Sequence, residues 1–84
     1  MKIMYFVYIL YSKKKDRYYV GSTNNIDDRL RRHNSGQGIY KKKGIPWEFI
    51  KSFEFTTRSE DVIFEMKIKR RGIKRFLLDS ENGV

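Results

Sequence analysis

Eighty-four residues with 19 Lys and Arg against 10 Asp and Glu, a net charge of +9, fit one small module and leave no room for a second. Hydrophobic residues at 39% and aromatics at 15% are too many for a disordered basic tail, so a modest core is expected. The absence of cysteine and the single histidine exclude a disulfide framework, a zinc finger and thiol chemistry. The longest apolar run, Ile3 to Tyr11, is nine residues, far short of the ~20 that cross a bilayer; a cytoplasmic protein with no membrane partner is the expectation.

The run Ile3 to Tyr11 (IMYFVYILY) is continuous, aromatic and β-branched, which predicts a strand buried on both faces and central in its sheet. Lys13 to Asp16 is a polar turn and Arg17 to Ser22 resumes β-type residues, predicting an antiparallel hairpin with Tyr19 and Gly21 on one face and Tyr18 and Val20 on the other. Asn24, with Asp27 three residues on, reads as a capping signal for a helix from about Asn25 to Asn34. On that helix Ile26, Arg29, Leu30 and His33 share one narrow stripe, so an arginine and a histidine accompany the apolar residues inward. An arginine so placed needs a partner or an anion.

Ser35 to Pro46 reads as a basic loop. Trp47 to Phe55 (WEFIKSFEF) alternates, predicting a third strand with Trp47, Phe49, Phe53 and Phe55 on one side and Glu48, Ser52 and Glu54 on the other. Thr57 and Glu60 form a capping box for a helix through Arg71, on which Val62, Ile63, Phe64, Met66 and Ile68 spread over a broad apolar arc with Glu65 inside it. A carboxylate there must be paired, protonated or bound to a cation, and its removal is expected to raise the melting temperature. Gly72 ends the helix, Ile73 to Leu78 make a short last one, and 79–84 are a polar tail after a single domain over 1–78. The fold class is α+β, in the order β-β-α-β-α-α.

The positive residues are bunched at Lys13, Lys14, Lys15 and Arg17, at Arg29, Arg31 and Arg32, at Lys41, Lys42 and Lys43, and from Lys67 through Lys69 and Arg70 to Arg75. Four such clusters on a compact domain attract polyanions, and nucleic acid is the leading partner.

Strand, strand, helix, strand, helix, with an arginine, a histidine and a glutamate aimed inward, resembles the GIY-YIG nuclease family, in particular its small stand-alone bacterial members. The two halves of the motif fall at Phe6-Val7-Tyr8 and Tyr19-Val20-Gly21, with ten residues between the tyrosines. Arg29 follows ten residues after Tyr19, and His33 four after that, like the family's R-L-x-x-H helix motif. The resemblance covers about residues 3–71; Phe6 stands where the motif has its first glycine, and Ser22 where excision-repair members carry a lysine.

The resemblance implies a three-stranded antiparallel sheet flanked by helices and a metal-dependent endonuclease acting on DNA, directed by structure rather than sequence. Tyr8, Tyr19, Arg29, His33 and Glu65 would be its catalytic residues: Glu65 holding Mg²⁺ or Mn²⁺, Arg29 the scissile phosphate, Tyr8 and Tyr19 the attacking water with Tyr19 as general base, and His33 orienting a tyrosine. Val7, Val20 and Gly21 would be structural, with Gly21 keeping the floor open to the substrate backbone. Lys13, Lys14, Lys15, Arg32, Lys41, Lys42, Lys43, Lys69 and Arg70 would bind nucleic acid, and a protein partner or a second copy would supply specificity. The competing reading is a non-catalytic basic nucleic-acid-binding module on the same fold.

Replacing Lys41, Lys42 and Lys43 together by Ala is expected to weaken DNA binding for all sequences alike and to lower the slope of log K against log salt by roughly 0.9 for each phosphate no longer neutralised. Filter binding on unrelated duplexes across a salt series measures both effects.

Overall fold

A computed structural model of the protein describes residues 3–35 and 44–81. Its elements are β1 (Tyr5–Ser12), β2 (Arg17–Thr23), α1 (Ile26–Asn34), β3 (Trp47–Phe55), α2 (Arg58–Arg71) and α3 (Ile73–Glu81). The strands form one antiparallel sheet in the order β2-β1-β3. The continuous apolar run is therefore the central strand, as its lack of alternation predicts.

Successive residues of β1 feed two cores. Val7 and Ile9 join Val20 and Ile68 on the face covered by α2 and α3, where Phe53, Phe55, Phe64, Ile73, Phe76 and Leu77 close over them. Tyr8 and Leu10 join Trp47 on the other face, against Tyr19, Leu30 and Ile45. Full burial of Val7, Ile9, Leu10 and Ile68 stabilises by ~1.5–3 kcal/mol per side chain. The turn between β1 and β2 is closed by Asp16 at φ +50°, one of the few side chains that tolerate that region, whose carboxylate accepts the Tyr11 hydroxyl at 2.6 Å.

The cap of α1 sits one residue later than the sequence pattern suggests. Asn25, not Asn24, is the N-cap, with its Oδ1 accepting from the Asp28 amide at 3.0 Å. Asp27 and Asp28 then face the positive end of the helix dipole, and Arg31, Arg32 and His33 its negative end. At the other end Asn34 clips β3 onto α1, donating from Nδ2 to the Trp47 carbonyl at 3.1 Å and accepting from the Trp47 amide at 2.6 Å.

Three expectations are corrected. First, the aromatic residues of β3 do not share a face: Ile9 pairs with Lys51 but Leu10 with Phe49, so Ile50 is an extra residue. That bulge reverses the alternation, sending Phe53 and Phe55 to the α2 side and Trp47 to the α1 side. Second, the apolar arc of α2 is not its buried face. Asp61 and Ile68 are buried and Phe64 half-buried, while Val62, Ile63 and Met66 are exposed. Third, α3 continues to Glu81 instead of giving way to a tail at Asp79. Arg71 holds Asp79 from the end of α2 through two bonds, Nε to Oδ2 at 2.7 Å and Nη2 to Oδ1 at 3.0 Å. Thr57 caps α2 as predicted, and Gly72, at φ +93°, supplies the break before α3.

Asp61 is the carboxylate that burdens this fold. It is fully buried, no side chain among the described residues donates a hydrogen bond to either oxygen, and its nearest cation, Arg58, stands 3.7 Å away at the surface. Burial pushes its carboxyl above the ordinary carboxylate range and Glu65 adds to this, while Arg58 and the backbone amide of Val62 oppose it. A raised folded-state value means the native state binds the proton more tightly than the unfolded chain, so stability falls as pH rises from the ordinary value through the raised one. Asp61→Asn is accordingly expected to stabilise at neutral pH by ~1–2 kcal/mol, several degrees in Tm for a domain this size, with the gain shrinking in acid as the native aspartate protonates. Thermal melts of both proteins at pH 7 and pH 4 check the sign.

Candidate active site

The sheet divides the expected site residues between its two sides. Tyr8 and Tyr19 project toward α1, and α1 carries Arg29 and His33 on the stripe that faces them. Glu65 comes from α2, across the sheet. The two halves meet around β2, an edge strand with nothing paired beyond it among the described residues. There an open groove of about 330 Å³ is lined by Tyr8, Tyr19, Gly21, Ser22, Arg29 and Glu65. Lys69 and Ile73 complete its α2 and α3 wall.

Tyr8 is 1% exposed and stands beneath the groove. Its Oη lies 3.1 Å from His33 Nε2, and its ring is tilted against Tyr19 with centroids 6.1 Å apart. Burial first, and then Tyr19, push its phenol well above the usual tyrosine range despite the opposing charge of Arg29. Tyr8 therefore stays protonated at physiological pH and acts as a hydroxyl. His33 is buried behind both tyrosines, its ring edge-on to Tyr19 with centroids 4.6 Å apart and backed by Trp47. It is not among the residues lining the groove; it holds the tyrosines from behind.

Gly21 lines the groove and also has a packing task beneath it. Tyr8 pairs with it across the ladder, and a Cβ built on Gly21 would lie 2.7 Å from the Tyr8 Oη, 2.9 Å from its Cζ and 3.0 Å from the Tyr19 Cε1. What occupies the space over Gly21 is the pair of tyrosines, and only a residue without a side chain lets them fold down over the strand.

Arg29 is half-buried in the groove wall and makes no ion pair among the described residues, unlike its neighbours Arg31 and Arg32, which both hold Asp28. A permanently charged, planar donor left so is suited to an anion. Glu65 has both oxygens engaged: the Ser22 hydroxyl donates to Oε1 and the Lys69 ammonium lies 2.7 Å from Oε2. Burial pushes its carboxyl up, but the bonds from Lys69 and Ser22 and the charges of Lys69 and Arg58 outweigh this, and it sits below the ordinary glutamate range. Glu65 is thus ionised and well partnered. The expectation that removing it would stabilise the fold belongs instead to Asp61, one turn earlier.

The basic residues divide as well. Lys69 belongs to the groove. Lys13 stands 3.7 Å from Glu48 at the surface, and Lys14 and Lys15 are exposed beside it in the hairpin turn. Arg32 is 3.0 Å from Asp28. Arg70 lies with Ile63, Met66 and Lys67 on the outward face of α2, about 140° around the helix from Glu65. Lys41, Lys42 and Lys43 lie outside the described residues. Ser22 and Ile73 are groove residues that sequence reasoning did not select; the signal for Ser22 was its place next to Gly21 on an edge strand.

Three comparisons place these features. A family model described as the GIY-YIG catalytic domain matches residues 4–75. A UPF0213 protein of Limosilactobacillus reuteri is 35% identical over 81 residues, covering 89% of this chain and 83% of its own, and one of Lactococcus lactis is 32% identical over 72 residues, covering 84% and 68%. The solution NMR structure of a UPF0213 protein from Bacillus halodurans superposes with a TM-score of 0.57 at 28% identity, covering 95% of this chain and 86% of that one.

Gly21→Ala tests the packing of the two tyrosines. The added methyl meets a buried phenol, so a loss of ~1–3 kcal/mol is expected, together with displaced NMR shifts of the Tyr8 ring and the His33 imidazole. A thermal melt and a side-chain NMR spectrum report both.

Proposed function

The chain belongs to the GIY-YIG catalytic-domain family and, within it, to the small UPF0213 proteins; on that premise we propose that it is a metal-dependent endonuclease that hydrolyses phosphodiester bonds in DNA. The observation that carries the reading is the convergence of Tyr8, Tyr19, Arg29 and Glu65, from four different elements, on one groove. A purely structural role would not require an arginine without an ion pair and an ionised carboxylate to share a cleft with two tyrosines.

Glu65 suits a hard divalent cation. It is an ionised oxygen donor at the groove wall, and no group of three or more acidic or histidine side chains that could cage a metal exists among the described residues. That is the donor set Mg²⁺ uses when waters and phosphate oxygens complete its coordination. When bound, the ion would supply charge stabilisation for the scissile phosphate and the leaving oxygen.

The chain's own residues do the rest. Arg29 binds the non-bridging oxygens of the scissile phosphate and stabilises the charge that builds there during attack. Tyr8, held protonated, donates from beneath. Tyr19, half-buried in the groove, orients the attacking water and, in the phenolate form that the charge of Arg29 and a bound cation would favour, takes its proton, and His33 fixes the tyrosine pair from behind. Water adds to phosphorus with its proton passing to the Tyr19 oxygen, the P–O bond to the leaving nucleotide breaks, the leaving oxygen takes a proton from solvent, and a phosphate end and a hydroxyl end result.

The groove is open and lies beside an edge strand, which suits selection of the target by shape rather than base sequence, with a protein partner or a second copy as the other source of specificity.

Purified protein with Mg²⁺ or Mn²⁺ is expected to nick supercoiled plasmid or branched DNA, with Glu65→Gln and Arg29→Ala each at least ~10²-fold slower and both folded by circular dichroism. Salt-sensitive binding without cleavage by the native protein would favour the binding-module reading.

A further inference from the structure

The hydrogen bonds of Glu65 leave an incoming cation a competitor. Oε1 is held by the Ser22 hydroxyl and Oε2 by the Lys69 ammonium at 2.7 Å. Ser22 is neutral and can remain, because a carboxylate oxygen accepts more than one partner. Lys69 cannot stay at that distance beside a divalent ion on the same oxygen, since the two positive charges repel at close range.

Lys69 also has somewhere to go. Its side chain is 57% exposed, whereas that of Glu65 is 20% exposed, so the ammonium is the mobile partner. It belongs to the wall of the groove that Arg29 lines as well. An ammonium leaving Glu65 within that groove meets whatever anion the groove holds.

We infer that Lys69 is a built-in counter-ion that competes with the divalent cation for Glu65 and, once displaced, becomes a second ligand for the substrate phosphate. Metal and nucleic acid then bind with positive linkage. The cation frees the ammonium, the phosphodiester draws it away, and each lowers the cost of binding the other. The inference rests on the reading of Glu65 as the metal-holding residue.

Its test uses binding rather than turnover. Mn²⁺ affinity, measured by electron paramagnetic resonance on the full chain without DNA, is expected to be about three- to tenfold tighter for Lys69→Met than for the native protein, and near native for Lys69→Arg, which keeps the charge. The affinity of a short duplex carrying non-hydrolysable phosphorothioate linkages, measured with Mn²⁺ present, is expected to change the other way, weaker for Lys69→Met. A merely structural i,i+4 pair would move neither quantity in this opposed manner.

Unchanged or weaker Mn²⁺ binding by Lys69→Met, in a protein whose native form loses Mn²⁺ on Glu65→Gln, overturns the competition and leaves the function above intact. Tighter Mn²⁺ with undiminished DNA affinity overturns the phosphate role. Mn²⁺ binding that Glu65→Gln does not alter overturns the metal assignment and this inference with it.

Discussion

Everything in this molecule is arranged around a strand that has no wet side. Because β1 is buried on both faces, its alternate residues must satisfy two separate cores, Val7 and Ile9 toward α2 and α3, Tyr8 and Leu10 toward α1. The helices therefore cannot pack together on one side, and any site drawing on both layers must form where the sheet ends. It forms at β2, beyond which nothing pairs among the described residues and where the bare Cα of Gly21 leaves room for both tyrosines. A single constraint on one strand thus decides which elements can contribute to the groove.

Electrostatics gives that groove its character more than the net charge does. Several exposed cations of the described chain are tied to acids nearby: Arg31 and Arg32 to Asp28, Arg71 to Asp79, Lys69 to Glu65. Arg29 makes no such pair among the described residues. A charge of +9 brings polyanions near. On the proposed function, the guanidinium in the groove is the group that holds the phosphate once it arrives.

Much of this was legible in the amino-acid order. Unbroken hydrophobicity marked the central strand, the polar turn marked the hairpin, Thr57 and Glu60 marked the start of α2, and the family resemblance grouped Tyr8, Tyr19, Arg29, His33 and Glu65 as candidate site residues. What escaped was whatever depends on a single inserted or displaced residue. The bulge at Ile50 leaves no trace in composition, yet it reverses the facing of half of β3. On α2, apolar residues occur all round the helix, so periodicity could not tell the buried side from the exposed one. The face was settled by what Ile68 and Phe64 meet on the sheet, which carried Asp61 into the interior along with them. The packing role of Gly21 was hidden for the same reason: a motif names a residue, but only the ladder reveals that Tyr8 is its cross-strand neighbour.

The wrapping of the groove around β2 has a consequence for the order in which the protein is made. During synthesis, β1, β2 and α1 leave the ribosome first, and with them both tyrosines, Arg29 and His33; Glu65 comes a further thirty-two positions after His33, on a helix that must cross to the opposite side of the sheet. The first three elements supply Tyr8, Tyr19, Gly21 and Arg29 to the groove, but its carboxylate and its lysine both come from α2. The groove is therefore the last part of the fold to be completed, closed only when the second helical layer docks against the sheet.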